Sequence, residues 1–290
     1  MKKALYILLL LPFYAIGQDG VKPIIDMHLH DYSKEKYHVS PSPDGTFSPS
    51  TYEQYKEQVK LMLKEYNVVH AVVSTNGAEN QLDEEGVLIP GMYIEEPPSD
   101  TMSFKKLIES GKLKVFGEIG AVYAGKTLAD SVYDPFLKIC ARYDIPVAIH
   151  TGGGPTNVTH FSPKFRIPKG DPYTVEEVIN KYPELKIYLM HAGTSYYEHT
   201  LELMRTYPSV YVDLGVILWW DRPEKDFAEA FLRKAKRYGY IDRIMYGSDQ
   251  MVWPHAIEKS IKKLDSYDFL DEEDKRNIFY NNAVKFLNLD

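Results

Sequence analysis

The stretch 24–30, Ile-Ile-Asp-Met-His-Leu-His, is an apolar run that ends in two histidines, His28 and His30. Residues at positions i and i+2 of a β-strand project from the same face. A first strand here would therefore direct both imidazoles to one point, where their nitrogens can bind one cation at about 2.0–2.1 Å. The alternative is that each histidine is an ordinary polar residue at a strand end. The residues that the rest of the chain places beside the pair decide between a metal site and ordinary polar residues.

Outward from this stretch, short runs rich in Val and Ile alternate with longer amphipathic stretches. The strand-like runs are 21–28, 68–74, 87–95, 113–119, 146–150, 185–190, 209–214 and 243–247. The helix-like stretches are 51–66, 101–111, 130–143, 174–182, 195–207 and 224–239, followed by 254–266 and 271–288. Several strand runs are almost continuously apolar, which is typical of parallel strands buried on both faces. The pattern predicts an α/β fold, a single (β/α)8 TIM barrel with additional C-terminal helices; a doubly wound sheet is the alternative.

Residues 1–17 have the pattern of a cleaved secretory signal peptide: a basic start, an apolar run, and the small residues Ala15 and Gly17 before the cut. The apolar run is short for a membrane span and is interrupted by Pro12. We therefore expect an exported protein, periplasmic or secreted, without stable membrane insertion once the signal is removed. An uncleaved anchor is the alternative. The remainder, 18–290, is predicted to be one TIM-barrel domain.

Composition narrows the classes of function. The chain has 290 residues, of which 44% are hydrophobic and 26% charged, enough for one large core. Its formal net charge of −7 makes nucleic acid a poor partner. The expected partner is a small-molecule substrate, and a homo-oligomer remains open. The single cysteine, Cys140, is predicted to be a small buried hydrophobe.

Polar side chains end five of the eight predicted strands. In a TIM barrel the carboxyl ends of the strands meet at one face, where active sites lie. The residues that would converge there are His28, His30, Glu118, His150, His191 and Asp249. Imidazole and carboxylate ligands suit zinc, and also manganese or iron. A bound metal lowers the pKa of a water molecule to about 7, and a carboxylate such as Asp249 can take its proton.

Each of these residues has a simpler explanation when it is taken alone. A histidine at a strand end is often a hydrogen-bonded polar residue, and Asp249 would be a suitable N-cap for a following helix. Their joint placement at the predicted strand ends is what favours a metal site. We therefore predict a divalent metal centre with one or two ions, zinc first.

The motifs "IIDMHLH", "GEIG", "VAIHTGGG", "LMHAG" and "IMYGSD" follow the order found in the amidohydrolase superfamily. Over roughly residues 22–289 the chain resembles the amidohydrolase-related branch, metal-dependent hydrolases of the TIM-barrel fold. The C-terminal sequence "EEDKRNIFYNNAVKFLNL" is similar to the last helix of that branch.

The resemblance implies a role for each matching residue. His28, His30 and His150 match metal ligands, and Asp249 matches the residue that contacts both the metal and its water. His191 matches a residue that is catalytic in one-metal members and a ligand of the second ion in two-metal members. The role of Glu118 stays open between a bridging ligand and a residue that hydrogen-bonds a ligand histidine.

The resemblance also implies the function. The branch contains lactonases and other hydrolases, so we expect a metal-dependent hydrolase of a small ester, lactone or amide. It also contains non-oxidative decarboxylases, so a lyase acting on an aromatic or unsaturated carboxylic acid is the alternative. The shared ligands cannot choose between these reactions. A binding protein that keeps the fold without catalysis is a third possibility.

The loops after the strands carry the candidate substrate-binding residues. They are Arg166, Tyr196, Trp219, Trp220 and Arg222. Arginine is suited to hold a carboxylate through two hydrogen bonds, and tryptophan to stack on a ring. The alternatives are solvated arginines and tryptophans that only cover the end of the barrel.

Overall fold

A computed structural model describes residues 22–75, 82, 86–221 and 223–289. The predicted signal segment and Arg222 lie outside these described residues. The strands are β1 (Ile24–Asp31), β2 (Val68–Thr75), β3 (Leu88–Pro90), β4 (Phe116–Ile119), β5 (Val147–His150), β6 (Ile187–Met190), β7 (Val210–Asp213) and β8 (Ile244–Met245). All the pairings between them are parallel.

Helices follow the strands as the amphipathic stretches predicted. They are α1 (Tyr52–Glu65), α2 (Thr101–Glu109), α3 (Asp134–Tyr143), α4 (Glu176–Lys181), α5 (Tyr197–Thr206), α6 (Glu224–Tyr238), α7 (His255–Asp265), α8 (Glu272–Arg276) and α9 (Asn282–Leu287). A π-helical segment, Asn277–Asn281, joins α8 to α9 without a break, so the helical stretch predicted over 271–288 is present and contains a π-helical segment. In the part of the chain that the structure describes, no helix combines the length and apolar character needed to cross a membrane.

The strands form the predicted barrel. Ladders join β1 to β3 in one sheet and β4 to β8 in another, in chain order. Backbone hydrogen bonds then link the sheets at both seams: Ile94 donates to the Glu118 carbonyl over 2.9 Å, and Met27 donates to the Tyr246 carbonyl over 2.9 Å. Strand β3 is shorter than the predicted run 87–95 because the chain leaves β2 after Pro90 and pairs with β4 instead.

An apolar cluster fills the barrel interior near the amino ends of the strands. Ile25 and Met27 of β1 pack there with residues from the other strands and from α9. Phe286 of α9 contacts the rings of Tyr188 and Tyr211 at centroid distances of 5.6 and 4.7 Å. The C-terminal helix thus supplies part of this interior, while a larger cluster packs the outer faces of the strands against the helices.

Strand β1 changes phase in its middle. The pairing of β1 with β2 shifts register between Asp26 and Leu29. Met27 faces the apolar interior, yet the next residue, His28, also points inward. The Asp26 carboxylate accepts the backbone N–H groups of His28 and Ser248, each over 2.9 Å. This bulge lets the inner face of one strand present apolar residues towards its amino end and both histidines towards its carboxyl end.

Candidate metal centre

Glu118, at the carboxyl end of β4, lies among all four predicted histidines. Its Oε1 atom is 2.8 Å from Nδ1 of His150 and 3.5 Å from Nε2 of His191. Its Oε2 atom is 3.3 Å from Nε2 of both His28 and His30. Three strands, β1, β5 and β6, therefore bring their histidines to one carboxylate on β4. The structure brings together the residues that the sequence predicted to converge.

Asp249 completes the cluster from the segment after β8. Its Oδ1 atom lies 2.9 Å from Nε2 of His30 and 3.6 Å from Nε2 of His28. Its Oδ2 atom lies 3.7 Å from Nδ1 of His191. The two carboxylates thus face the histidine pair of β1 from different sides.

Two overlapping groups of donor atoms have the spacing needed to hold a metal ion. One is His28, His30 and Asp249, and the other is His28, Glu118 and His191. Within each group the ligand atoms lie within 4.8 Å of one another, and all five residues are buried. The groups share His28. His150 adjoins the second group, because its Nδ1 atom is 2.9 Å from Nε2 of His191.

Asp213, at the end of β7, orients two of these histidines and is not among the residues predicted from the sequence. Its Oδ2 atom is 3.1 Å from Nδ1 of His28, while its Oδ1 atom accepts the backbone N–H groups of His191 and Gly215 over 2.9 Å each. A carboxylate that holds one imidazole nitrogen leaves the other nitrogen free to bind a metal. The available signal was the acidic residue that ends the strand run "VYVD".

Two members of the cluster have left-handed backbone conformations. The φ angle is 62° at His191 and 48° at Asp249. Such conformations cost on the order of 1–3 kcal/mol for residues with a side chain, and they concentrate at functional sites. Tertiary hydrogen bonds hold both residues in place, including one from the Asp249 backbone N–H to the His28 carbonyl over 2.7 Å. This strain favours a functional role for the cluster over a purely structural one.

Burial and mutual attraction set the charges of the cluster. Burial alone would raise the pKa of Glu118, but the histidines around it, His150 foremost, hold that pKa well below its usual range. Burial would also raise the pKa of Asp249, which His28 and His30 keep low. Burial would lower the pKa of His30, but the carboxylates of Asp249 and Glu118 raise it to about 9. The carboxylates likewise raise the pKa of His28 and His191, so a cation that binds these imidazoles would displace protons from them.

The donor set fits a divalent metal. Oδ1 of Asp249 is buried and lies 2.9 Å from Nε2 of His30, but no contact to it from the described residues has the geometry of a hydrogen bond. An unsatisfied buried acceptor is costly, and a cation beside it would remove that cost. Nδ1 of His28 faces Asp213, and Nδ1 of His191 lies 3.1 Å from the Gly215 carbonyl. In both residues Nε2 is therefore the nitrogen left for a ligand.

Three tyrosines that are not among the residues predicted from the sequence surround the cluster. The ring of Tyr32 lies 5.9 Å, and that of Tyr93 6.2 Å, from the ring of His30. The ring of Tyr123 lies 5.0 Å from that of His150, with its hydroxyl 3.4 Å from Nε2. All three are partly buried and follow the ends of β1, β3 and β4. With 23 tyrosines in the chain, composition gave no reason to choose these.

The predicted tryptophans pack with each other beside the barrel. Trp219 is buried; its indole N–H donates to the Ser248 carbonyl over 2.7 Å, and its ring contacts those of Trp220 and Trp253. It also lines a cavity of about 460 Å³ that none of the six predicted cluster residues lines. Trp219 thereby supports the backbone just before Asp249. A substrate role for either tryptophan stays a prediction.

The other predicted substrate residues make local contacts. Arg166 is exposed, and its guanidinium donates to the carbonyls of Pro163 and Phe165 over 3.0 and 2.7 Å. The ring of Tyr196 stacks on that of His199 at 5.5 Å. None of these described contacts reaches the metal-binding cluster. Their roles in substrate binding stay predictions, as does that of Arg222.

The sequence matches one known protein family and is similar to part of one characterised protein. The model of the family described as Amidohydrolase matches residues 25–289. Protein fluG of Emericella nidulans is 27% identical over 112 residues, 39% of this chain but only 12% of the length of that protein.

Solved structures share the fold at low sequence identity. An uncharacterized TIM-barrel protein from Bordetella bronchiseptica has a TM-score of 0.67 and 16% identity, covering 92% of this chain and 99% of its own. A 5-carboxyvanillate decarboxylase from Novosphingobium aromaticivorans, solved with manganese and a nitrobenzoic acid, has a TM-score of 0.59 and 16% identity over 92% of this chain and 96% of its own. At these identities the likeness establishes the barrel.

Proposed function

We propose that this chain, which belongs to the amidohydrolase family, is a metal-dependent hydrolase of a small ester, lactone or amide. The family match spans residues 25–289, nearly the whole described barrel, and the family consists of metal-dependent enzymes. The observation that carries the proposal is the group His28, His30 and Asp249, whose buried donor atoms lie within 4.8 Å of one another.

In this proposal His28, His30 and Asp249 hold the metal, with zinc as the first choice and manganese or iron as alternatives. His191 and Glu118 either complete that site or, with His28, hold a second ion, and His150 supports them. When bound, the cation polarises the substrate carbonyl and lowers the pKa of water.

The residues of the chain then handle the proton. Asp249 is ionised at neutral pH, so it can accept the proton of the attacking water. As the bond between the carbonyl carbon and the leaving oxygen or nitrogen breaks, Asp249 returns that proton to the leaving atom. His191 has its Nδ1 atom 3.1 Å from the Gly215 carbonyl, and this orientation favours a ligand role through Nε2 over polarising the substrate.

A decarboxylase is the second candidate. The likeness to a decarboxylase that binds manganese favours it, because that enzyme has the same barrel. The two candidates differ in their product, since a decarboxylase releases carbon dioxide and a hydrolase consumes water.

The test is a substrate screen on protein loaded separately with zinc and manganese. Lactones and aryl esters probe hydrolysis, and release of carbon dioxide from hydroxybenzoates probes decarboxylation. We expect ester or lactone turnover that falls by about 10²–10⁴ in Asp249→Asn, the usual effect of removing a general base. Asp268→Asn, a change at an exposed carboxylate, is the matched control. Equal activity in Asp249→Asn and the wild type would refute the role of Asp249, and carbon dioxide release alone would favour the decarboxylase.

We also propose that the enzyme is exported, from the signal pattern of residues 1–17. Amino-terminal sequencing of protein recovered from a bacterial periplasm should begin at Gln18. Recovery of the chain with its original amino terminus would refute cleavage.

A further inference from the structure

Beside the metal-binding cluster lies a partly buried carboxylate that the proposed mechanism does not use. The hydroxyl of Tyr93 donates to Oε1 of Glu95 over 3.1 Å, and the ring of Tyr93 contacts that of His30. Glu95 therefore lies one side chain away from a candidate metal ligand.

Tyr93 and Tyr123 converge next to this carboxylate. A Cβ atom placed on Gly120, just after β4, would lie 3.3 Å from the Tyr93 hydroxyl and 3.0 Å from the Tyr123 ring. The Tyr123 hydroxyl in turn reaches His150. Two aromatic side chains thus lie between Glu95 and the cluster, and with Glu95 they form what we call the tyrosine–glutamate entrance.

The cations near this entrance are engaged elsewhere. Lys126 binds both carboxylate oxygens of Glu96, at 2.7 and 2.6 Å, and Lys164 lies 4.0 Å from Glu96. Arg166 donates to backbone carbonyls of its own loop. Among the described residues Glu95 has no ion-pair partner, although its neighbour Glu96 has two.

Glu95 gives this entrance a carboxylate that has no ion-pair partner among the described residues and lies beside aromatic rings. A substrate carboxylate would meet repulsion from Glu95. A carboxylate beside aromatic rings is instead the chemistry that binds an ammonium group.

We propose that Glu95, with Tyr93 and Tyr123, binds a positively charged amine group of the substrate. The preferred substrate is then a small ester, lactone or amide that carries an ammonium group. This inference rests on the proposed hydrolase function. It assigns to the entrance a selectivity that the metal ligands cannot provide.

The test compares three 4-nitrophenyl esters with the same leaving group. Their acyl parts are butanoate, 4-(trimethylammonio)butanoate and glutarate, which are neutral, cationic and anionic. For metal-loaded wild type we expect kcat/KM to be highest for the cationic ester and lowest for the anionic one. In Glu95→Gln the cationic-to-neutral ratio should fall about tenfold, as expected for loss of a charged contact. Tyr93→Phe, which keeps the ring, should reduce the ratio less.

Glu96→Gln is the matched control, because Glu96 already pairs with Lys126. It should leave the three ratios as in the wild type. Preference of the wild type for the anionic ester, or a cationic preference unchanged in Glu95→Gln, would overturn the proposal.

A binding measurement separates this inference from the hydrolase function. If no ester is hydrolysed, titration of metal-loaded protein with tetramethylammonium still tests the entrance. Binding that weakens at least fivefold in Glu95→Gln, with no change in Glu96→Gln, would support the amine site while the hydrolase function fails. Equal binding by wild type and Glu95→Gln would refute the amine site.

Discussion

Strand β1 contributes Met27 to the apolar interior of the barrel and the next residue, His28, to the polar cluster at its mouth. Both side chains are fully buried. Around Met27 the neighbours are hydrophobic and come from several strands and α9. Around His28 they are carboxylates, including Asp213 and Glu118. Two adjacent residues are thus equally buried, but Met27 packs against apolar side chains and His28 interacts with charged ones.

The difference between these regions is also one of strain. Among the described residues, those of the strands in the apolar interior do not adopt left-handed backbone conformations. His191 and Asp249 at the barrel mouth both do. Apolar packing near the amino ends of the strands stabilises the fold and so supports the constrained residues at the carboxyl ends. Substitutions in the two regions should therefore affect different measurements.

The largest effect is expected from His28→Ala, because His28 belongs to both candidate ligand groups. Removing a ligand should cost more than the 10–100-fold loss typical of outer partners, so activity should fall by more than about 100-fold. Metal content after dialysis should fall with it, as measured by elemental analysis. His160→Ala, at an exposed histidine, is the control. Full metal content in His28→Ala would contradict both proposed groups.

Met27→Ala tests the other half of the same strand. Removing a buried side chain of this size should lower the free energy of unfolding by about 2–5 kcal/mol, measured by urea denaturation. Metal content per folded molecule should stay as in the wild type. Met102→Ala, at a side chain that is 69% exposed, should change stability by less than about 0.5 kcal/mol. A loss of metal in Met27→Ala without a loss of stability would break the contrast between the halves.

Asp213→Asn sharpens the comparison at a residue outside both candidate ligand groups. The amide nitrogen would face Nδ1 of His28 and favour the tautomer with its proton on Nε2, the nitrogen needed for the metal. Metal affinity should weaken by about 10–100-fold. Titration of metal-free protein with cobalt, followed by its visible absorption, measures this. Asp242→Asn, at an exposed carboxylate, should bind cobalt as the wild type does.

The last expected effect concerns pH. His30 has a pKa of about 9 in the folded metal-free protein, against an ordinary value of 6.5. Its raised pKa stabilises the fold fully below pH 6.5, and this contribution is lost as pH rises towards 9. Metal-free protein should therefore lose about 3 kcal/mol of stability over this range. Metal-loaded protein, the control in the same urea titrations, should not show this loss. An identical pH response in both forms would contradict protonation of the metal-free cluster.

The sequence allowed every strand to be located and the six residues of the central cluster to be predicted. Strand runs are local patterns of apolar residues, and parallel strands bring their carboxyl ends to one face by necessity. The sequence therefore predicted that His150 and His191, 41 residues apart, lie close together. In the structure Nδ1 of His150 is 2.9 Å from Nε2 of His191.

Loop residues were harder to place because strand periodicity does not direct their side chains. Arg166 turns to its own loop, and Trp219 bonds to the Ser248 carbonyl. Tyr93 reaches the cluster because β3 ends early and the chain crosses to β4. These outcomes depend on contacts between segments distant in the chain.

By itself the sequence determined an α/β fold of parallel strands and the residue types at their carboxyl ends, because short apolar runs that alternate with amphipathic helices pack as a parallel sheet covered by helices. Tertiary structure alone decided how the residues at the mouth face one another. The bulge at Asp26 turns His28 inward beside Met27, and Asp213 fixes which of its nitrogens is free. Side-chain direction at these points is set by hydrogen bonds from other strands, and no local pattern of residues encodes such bonds.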